Sequence, residues 1–406
     1  MKKISTFVVS AAIVTAAHFA FASGFSLMEM TARSNAMGNS LVGSTRDASS
    51  AYFNPANMGE NTNATLMVGA SLLRPRHDVK VNGVKDSPMD SGLFTIPHVF
   101  ITIPLPADFT LGLAEYSEYG IGTKFKKSWP LNYTSTKTTV EQVTLSPTLA
   151  YQVTDDFSLA AGFRGSWLKF ESYSTPYGFY PSVIPASGYR SKVKGDDWGY
   201  GYLLAAQYRI FDNLRAGLVY RSQIRHTLKG DFDLMGAGQH STARGDVTLP
   251  DSITFGLNYD ITDKWRVGGM ATWTRWSTMK CLNIEMPDLK SNSKSVFRWK
   301  DAWRFGVGTE YDLLSWMSVR AGYQFDMDPS DSHHTSTMTE SGHRHIIGTG
   351  LGFKLPGNFT LDVAYSCIHQ LSDTREFYNS YSRKYDSQKC YKGYTHVASV
   401  TLGYTF

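Results

Sequence analysis

Charged residues, cysteine and long apolar runs are all scarce in this chain of 406 residues. Asp, Glu, Lys and Arg make up 18%, below the roughly 25% of an average soluble domain. Apolar residues make up 42%, which excludes a disordered chain. The formal net charge of +5 is too small to favour nucleic acid as a partner.

The three cysteines, Cys281, Cys367 and Cys390, include no CxxC pair. Neither a zinc site nor a disulfide framework is therefore predicted. Cys367 and Cys390 flank the last long loop, and the sequence leaves open whether they form a disulfide.

Long apolar runs end with the first 22 residues. Lys2 and Lys3 precede an apolar stretch over 4–21, and Ala20-Phe21-Ala22 is a small-x-small cleavage site. This pattern predicts a cleaved signal peptide over 1–22 and an exported chain. Beyond it, no stretch approaches the ~20 apolar residues that a membrane-spanning helix needs.

Aromatic residues are abundant, at 14%, and they recur at every second position. Trp303, Phe305 and Val307 alternate with Arg304 and Gly306, which is the pattern of a strand with one apolar face. Most such segments reach the ~9–11 residues that cross a bilayer as a tilted strand. Fourteen segments follow this pattern: 64–79, 92–106, 108–125, 140–155, 157–172, 196–212, 213–229, 246–262, 264–285, 300–313, 315–328, 343–356, 358–373 and 393–406.

The connections between these segments alternate in length. Tight turns are predicted at 106–107, 155–156, 212–213, 263, 314 and 357, and long polar loops near 80–91, 126–139, 173–195, 230–245, 286–299, 329–342 and 374–392. Short turns on one side and long loops on the other are typical of outer-membrane barrels. Residues 64–406 are therefore predicted to be an all-β, 14-stranded antiparallel transmembrane barrel in a bacterial outer membrane, surrounded by its lipid. The last strand ends on Phe406, which resembles the C-terminal signal that barrel assembly machinery recognises.

Residues 23–63 do not alternate and are punctuated by Gly24, Gly38, Gly43 and Asn54-Pro55. Such a segment either hangs in the periplasm or folds into the lumen. A fourteen-stranded lumen is too wide for wall side chains to fill. The segment also carries apolar residues whose side chains must be buried from water, so we predict a hatch in the lumen. These residues are Phe25, Leu27, Met28, Met30 and Met37.

Several stretches resemble the FadL family of outer-membrane transporters for long-chain fatty acids and other hydrophobic compounds. They are residues 23–27, the small-residue stretch 38–50, Asn54-Pro55-Ala56, residues 115–120, Trp273 to Ser277, Trp299 to Phe305, residues 250–252 and residues 344–350. Their order and spacing carry the resemblance over nearly the whole mature chain.

The resemblance implies that a hydrophobic ligand enters through a groove between external loops. The sequence supports such a groove independently, because an exposed apolar cluster usually marks an interaction site. These side chains could also pack on one another under the loops. The groove residues are Tyr177, Phe179, Tyr180, Val183, Ile184, Phe232, Leu234 and Met235.

The resemblance further places the mature N-terminus against the ligand, through Phe25 and Leu27. Lys300 and Arg344 are the candidate partners for a ligand carboxylate, unless they pair with acidic residues of the lumen. Asn54 and Pro55 of the hatch would lie beside an inward kink of the third strand, at Ser117 to Gly120.

The implied mechanism is ligand-gated passive diffusion with lateral exit at this kink. Gly120 suits a bend in a strand, whereas Glu118 departs from the amide expected there.

Other chemistry has little support in the sequence. His333, His334, His343 and His345 are grouped near an external loop, where a metal site and a solvated loop are the alternatives. No GxSxG, HExxH or P-loop motif occurs, so we predict neither an enzyme nor a cofactor. The function predicted for the chain, as a monomer, is uptake of long-chain fatty acids and related hydrophobic compounds. An aromatic hydrocarbon channel and a surface adhesin or receptor are the alternatives.

Overall fold

The chain folds almost entirely into β-strands. A computed structural model describes residues 24–86, 89, 92–175, 189–330, 342–379 and 384–406. The strands are β1 (Thr65–Val81), β2 (Val84–Asp86), β3 (Phe94–Pro104), β4 (Phe109–Tyr116), β5 (Ile121–Lys124), β6 (Lys137–Thr154), β7 (Phe157–Ser174), β8 (Arg190–Phe211), β9 (Leu214–Arg221), β10 (Ile224–Met235), β11 (Gln239–Leu249), β12 (Ser252–Thr262), β13 (Trp265–Thr274), β14 (Cys281–Met286), β15 (Ser291–Val296), β16 (Ala302–Leu314), β17 (Met317–Asp326), β18 (Arg344–Leu355), β19 (Phe359–Gln370), β20 (Asp373–Asn379) and β21 (Lys384–Thr405).

The helices are short. They are α1 (Ala32–Ala36), α2 (Ser50–Phe53) and the 3-10 helices Pro55–Glu60, Trp276–Thr278 and Pro287–Leu289. Within the described ranges, no helix combines the length and the apolar composition needed to cross a membrane.

The strands form one closed antiparallel barrel. β1 pairs with β21 from Thr65↔Thr405 to Val81↔Gln388, so the described sheet closes on itself. Six barrel strands consist of two segments each: the third (β4, β5), seventh (β9, β10), eighth (β11, β12), ninth (β13, β14), tenth (β15, β16) and thirteenth (β19, β20). β2 is a short addition that pairs with β1. The count is fourteen, and the predicted fold is confirmed. Closure pairs the first barrel strand with the last, so neither presents a free edge to lipid.

Side chains of the wall alternate between the outer face and the lumen, as predicted. On β8, Tyr200, Tyr202 and Leu204 are more than half exposed, whereas Leu203 and Ala205 are buried. The outward residues are the aromatic and apolar ones that contact with lipid requires.

The two ends of the barrel have different connections. At one end, Ala107 and Asp108 both have positive φ, as do Gly357 and Asn358, which is the backbone of a type I′ hairpin turn. At the other end, the strands extend further than the sequence predicted. β10 and β11 pair as far as Leu234↔Gln239, so 230–245 is a hairpin and not a loop. β20 and β21 likewise cover most of 374–392.

Residues 24–63 pack inside the barrel, so the hatch predicted from the sequence lies in the lumen. α1 contacts β17, β18, β19 and β21, and the helix Pro55–Glu60 contacts β4, β6, β7 and β8. Arg33 of α1 bonds Glu310 of β16 and Asp47 of the hatch, each at 3.0 Å. The predicted signal peptide lies outside the described residues and stays a prediction.

Cys367 carries a free thiol. It lies opposite His396 on β21, six positions from Cys390, or about 20 Å at the rise of a strand. A disulfide needs Cα atoms within about 7 Å, so this register does not bring Cys367 and Cys390 together.

Candidate functional site

The third barrel strand breaks between β4 and β5, where the kink was predicted. Residues 25–27 of the hatch pair with the break as a short antiparallel strand. Leu27 N donates to the Glu118 carbonyl at 2.7 Å, and Gly120 N donates to the Phe25 carbonyl at 2.9 Å. Ser26 and Tyr119 therefore face each other across this bridge. The N-terminal segment is thus attached directly to the kink.

The wall between the second and third barrel strands loses its ladder at this level. β3 pairs with β4 from Val99↔Glu115 to Pro104↔Thr110, but β5 pairs with β6. Residues 94–98 of β3 consequently pair with β1 alone among the described strands. Phe94 and Ile96 are buried there, so side chains rather than backbone bonds close this part of the wall.

Gln142 of β6 replaces the missing ladder bonds of the kink. Its Oε1 accepts from Glu118 N at 2.9 Å and from Tyr119 N at 3.3 Å. Its Nε2 donates to Ser166 Oγ at 2.9 Å. One side chain therefore satisfies two backbone donors, which would otherwise be costly in a buried place.

An aromatic cluster surrounds Phe25. Its ring centroid lies 5.5 Å from that of Tyr119, 5.4 Å from Trp276 and 6.1 Å from Trp299. Gly24 has a φ of +63°, and a Cβ there would lie 2.6 Å from the Trp276 ring. The close approach therefore requires glycine before Phe25.

An apolar cavity of about 50 Å³ lies beside this cluster. It is well below the ~300–1,000 Å³ of ordinary small-molecule pockets, so a long acyl chain would fit only if lining side chains moved. The lining residues are Phe25, Ile121, Val140, Leu168, Phe170, Leu228, Asp246, Val247, Met279, Cys281, Leu282, Phe297 and Trp299.

A second cavity, of about 70 Å³, lies next to the kink and is polar; we call it the polar chamber. Leu27, Glu118, Tyr119, Arg221 and Arg304 are among its lining residues. Arg304 Nη2 donates to Ser26 Oγ at 3.2 Å. The chamber can therefore offer guanidinium donors to an anionic or polar group.

Buried ion pairs surround the polar chamber. Glu118 pairs with Arg164 and, at 3.3 Å, with Arg221. Asp326 pairs with Arg344 and, at 3.3 Å, with Arg304. Each buried charge thus has a partner of opposite sign, as burial demands.

Glu29 of the hatch is a buried carboxyl near the second pair. Burial raises the pKa of Glu29, and the charges of Arg344 and Arg304 oppose the shift. Its Oε2 accepts from Met28 N at 2.9 Å.

The two candidate carboxylate partners lie in different surroundings. Arg344 is buried and paired with Asp326, which is the lumen pairing that the sequence left as the alternative. Lys300 is exposed and lines neither cavity. Arg304 is a lumen residue that was not predicted from the sequence, although it lies within the family-like stretch from Trp299 to Phe305. Because Trp303 and Phe305 face outward, the period of two already assigns Arg304 to the lumen.

The hatch residues contact the wall beside the kink. Asn54 Nδ2 donates to the carbonyls of Val42 at 2.9 Å and Ala206 at 3.1 Å, so these bonds go to the hatch and to β8. Tyr52 is nearer the kink, with its ring 4.6 Å from that of Tyr116. A gating role for Asn54, Pro55, Ser117 and Gly120 stays a prediction.

The predicted external groove is described only in part. Phe232 is half-buried, Leu234 is buried and Met235 is exposed, all on β10. The other five groove residues, Tyr177, Phe179, Tyr180, Val183 and Ile184, lie outside the described residues.

The histidine group is described in part as well. His333 and His334 lie outside the described residues, whereas His345 Nδ1 bonds Tyr323 Oη at 2.6 Å and His343 Nδ1 accepts from Asp328 N at 3.1 Å. Among the described residues, no group of three or more His, Cys, Asp or Glu side chains could hold a metal ion.

Comparison with known proteins matches the chain to the family model described as "Outer membrane protein transport protein (OMPP1/FadL/TodX)" over residues 13–406. A long-chain fatty acid transport protein of Salmonella typhi is 24% identical, over 86% of this chain and 88% of its own. The crystal structure of a Pseudomonas aeruginosa FadL homologue has a TM-score of 0.82 at 20% identity, covering 94% of this chain and all of that one. The Ralstonia pickettii toluene transporter TbuX has a TM-score of 0.70 at 18% identity, over 95% and 99%.

Proposed function

The chain belongs to the OMPP1/FadL/TodX family of outer-membrane transport proteins, and we propose that it takes up long-chain fatty acids by ligand-gated passive diffusion. The ligand enters from outside, its acyl chain lies against Phe25 and Leu27, and it leaves sideways through the wall at the kink. No energy source is needed, because the ligand moves from one apolar environment to another.

The observation that carries this proposal is the pair of neighbouring cavities. The apolar one can take an acyl chain once its lining side chains move, and each buried methylene then contributes about 0.8 kcal/mol. The polar chamber beside it holds Arg221 and Arg304, and a guanidinium binds a carboxylate with two parallel bonds. An aromatic hydrocarbon has no anionic group that could form such a pair of bonds.

We propose Arg304 as the main partner of the ligand carboxylate and Arg221 as a second one. Arg304 Nη2 already bonds a hydroxyl, at Ser26, and its pairing with Asp326 at 3.3 Å is shared with Arg344. An arriving carboxylate can therefore engage Arg304 without leaving Asp326 unpaired.

Phe25 supports the gating part of the proposal. It lines the apolar cavity, and its carbonyl accepts from Gly120 N in the kink. A ligand that displaces Phe25 would therefore also disturb this hydrogen bond and shift the kink, where side chains close the wall.

The test is uptake of labelled oleate and labelled toluene by cells that lack their own transporters and carry this chain. We expect oleate uptake, and a fall of about tenfold or more in Arg304→Met, because a hydrogen bond to a charged group contributes about 1.5–3 kcal/mol. Lys264→Met, in an exposed turn, is the matched control and should leave uptake unchanged.

Other outcomes separate the alternatives. Toluene uptake without oleate uptake would favour an aromatic hydrocarbon channel. This alternative is tested because the fold is similar to that of a toluene transporter. Uptake of neither compound would count against transport of both classes and leave the adhesin as the better hypothesis.

A further inference from the structure

Glu118 is the point where the kink, the barrel and the hatch meet. Glu118 is only 7% exposed. Its backbone carbonyl accepts from Leu27 N of the hatch, and its backbone N–H donates to Gln142 of the wall. Its carboxylate joins Arg164 of β7 to Arg221 of β9.

Arg221 continues the connection into the hatch. Its guanidinium donates to the Tyr52 carbonyl and lies over the Tyr52 ring, 4.7 Å from the centroid. Arg164 is held further by the Ser222 carbonyl, at 3.0 Å. Both arginines are therefore fixed beside the polar chamber, with Glu118 between them.

In this region two carboxylates of the protein are shared by four guanidinium groups. Arg164 and Arg221 share Glu118, whereas Arg304 and Arg344 share Asp326. Each carboxylate thus partly neutralises two guanidinium groups. Glu118 lines the same polar chamber as Arg221, in the place where an arriving anion would bind that arginine.

We propose that Glu118 is an internal counter-anion that determines specificity, because a ligand carboxylate must compete with it for Arg221. This inference rests on the function proposed above. A tethered carboxylate is always present at its site, so it lowers the affinity for anionic ligands and leaves neutral ligands of the same length unaffected. Glu118 thereby lowers the affinity of the channel for acids relative to its affinity for uncharged lipids.

The competition also connects binding to the kink. When a ligand carboxylate takes Arg221, the Glu118 side chain loses one of its two partners. The Glu118 carbonyl holds Leu27, so a shift of this residue is transmitted to the N-terminal segment. Glu118 is therefore a positioning residue for the gate as well as a competitor for the anion.

The test measures binding of oleate and of oleyl alcohol to the purified full chain in detergent, by titration calorimetry. These probes share a chain and differ in charge. In Glu118→Gln we expect the affinity ratio of oleate to oleyl alcohol to rise about tenfold or more, with oleyl alcohol affinity unchanged. Glu141→Gln, which removes a half-buried partner of Lys169, is the matched control and should leave the ratio as in the unmodified chain.

Glu118→Asp keeps the charge and shortens the side chain, and its ratio should lie between the other two. This variant also keeps the proposal testable if Glu118→Gln does not fold. An unchanged ratio in a folded Glu118→Gln or Glu118→Asp barrel, or an equal change for both ligands, would overturn the inference alone. Failure of the unmodified chain to bind either compound would overturn the proposed function and this inference with it.

Discussion

Gly308 is one of the residues where the hatch backbone lies directly against the barrel wall. It lies on β16, and a Cβ there would overlap the Met37 backbone. Gly322 and Gly348 follow it in register on β17 and β18 and contact hatch residues 35–38 in the same way. The hatch therefore depends on a row of wall positions that carry no side chain.

We expect Gly308→Val to loosen the hatch and leave the barrel folded. Overpacking costs about 1–3 kcal/mol of stability. Here the hatch backbone can move away from the new side chain, whereas the hydrogen-bonded strands cannot. The measurement is ion conductance in planar bilayers, which should rise, together with retention of the heat-modifiable band of a folded barrel. Gly269→Val is the matched control, because the nearest atom to its Cβ is 3.9 Å away. Equal conductance in the two variants would count against the close approach.

At the scale of elements, the kinked third strand and the N-terminal segment act as one unit. The resemblance to the FadL family predicted the kink, and Gly120 suits a bend in a strand. The sequence could not predict what pairs with the kink. Gln142 and the bridge from Ser26 to Tyr119 come from parts of the chain that meet only after the barrel has formed.

A reversible crosslink tests whether this unit must open during transport. Ser26 and Tyr119 form a non-hydrogen-bonded antiparallel pair, whose Cα atoms are ~4.5 Å apart, within reach of a disulfide. We expect Ser26→Cys with Tyr119→Cys, in a chain whose native cysteines are replaced by serine, to lose oleate uptake when oxidised and to recover it when reduced. The reduced double variant is its own control. Full uptake by the oxidised protein would show that the segment does not need to leave the kink.

At the scale of the whole molecule, the barrel is a wide tube that the hatch fills. Fourteen strands enclose more space than wall side chains can occupy. Arg33 attaches the hatch to Glu310, which also bonds Arg266 and Arg320 of the wall. This network lines a polar cavity of about 250 Å³, apart from the two cavities at the kink.

Deleting residues 24–63 should convert the protein into an open, water-filled channel. The wall closes without the hatch, because β1 pairs with β21 directly, so the barrel should still fold. Single-channel recording should then give a steady ohmic conductance, and the unmodified chain should give little. Large conductance in the unmodified chain would contradict the plugged lumen.

The sequence by itself determined the barrel, its strand count and the outer-membrane location. The reason is that these signals are local. The period of two assigns each side chain to the lipid face or the lumen face, and the lengths of the connections distinguish the end with short turns from the end with long loops. The period of two also assigns Arg304 to the lumen face. Glu118, Arg164 and Arg221, in contrast, lie on different strands. Only closure of the barrel brings their lumen-facing side chains together, so the tertiary structure alone decided which charges neutralise one another beside the polar chamber.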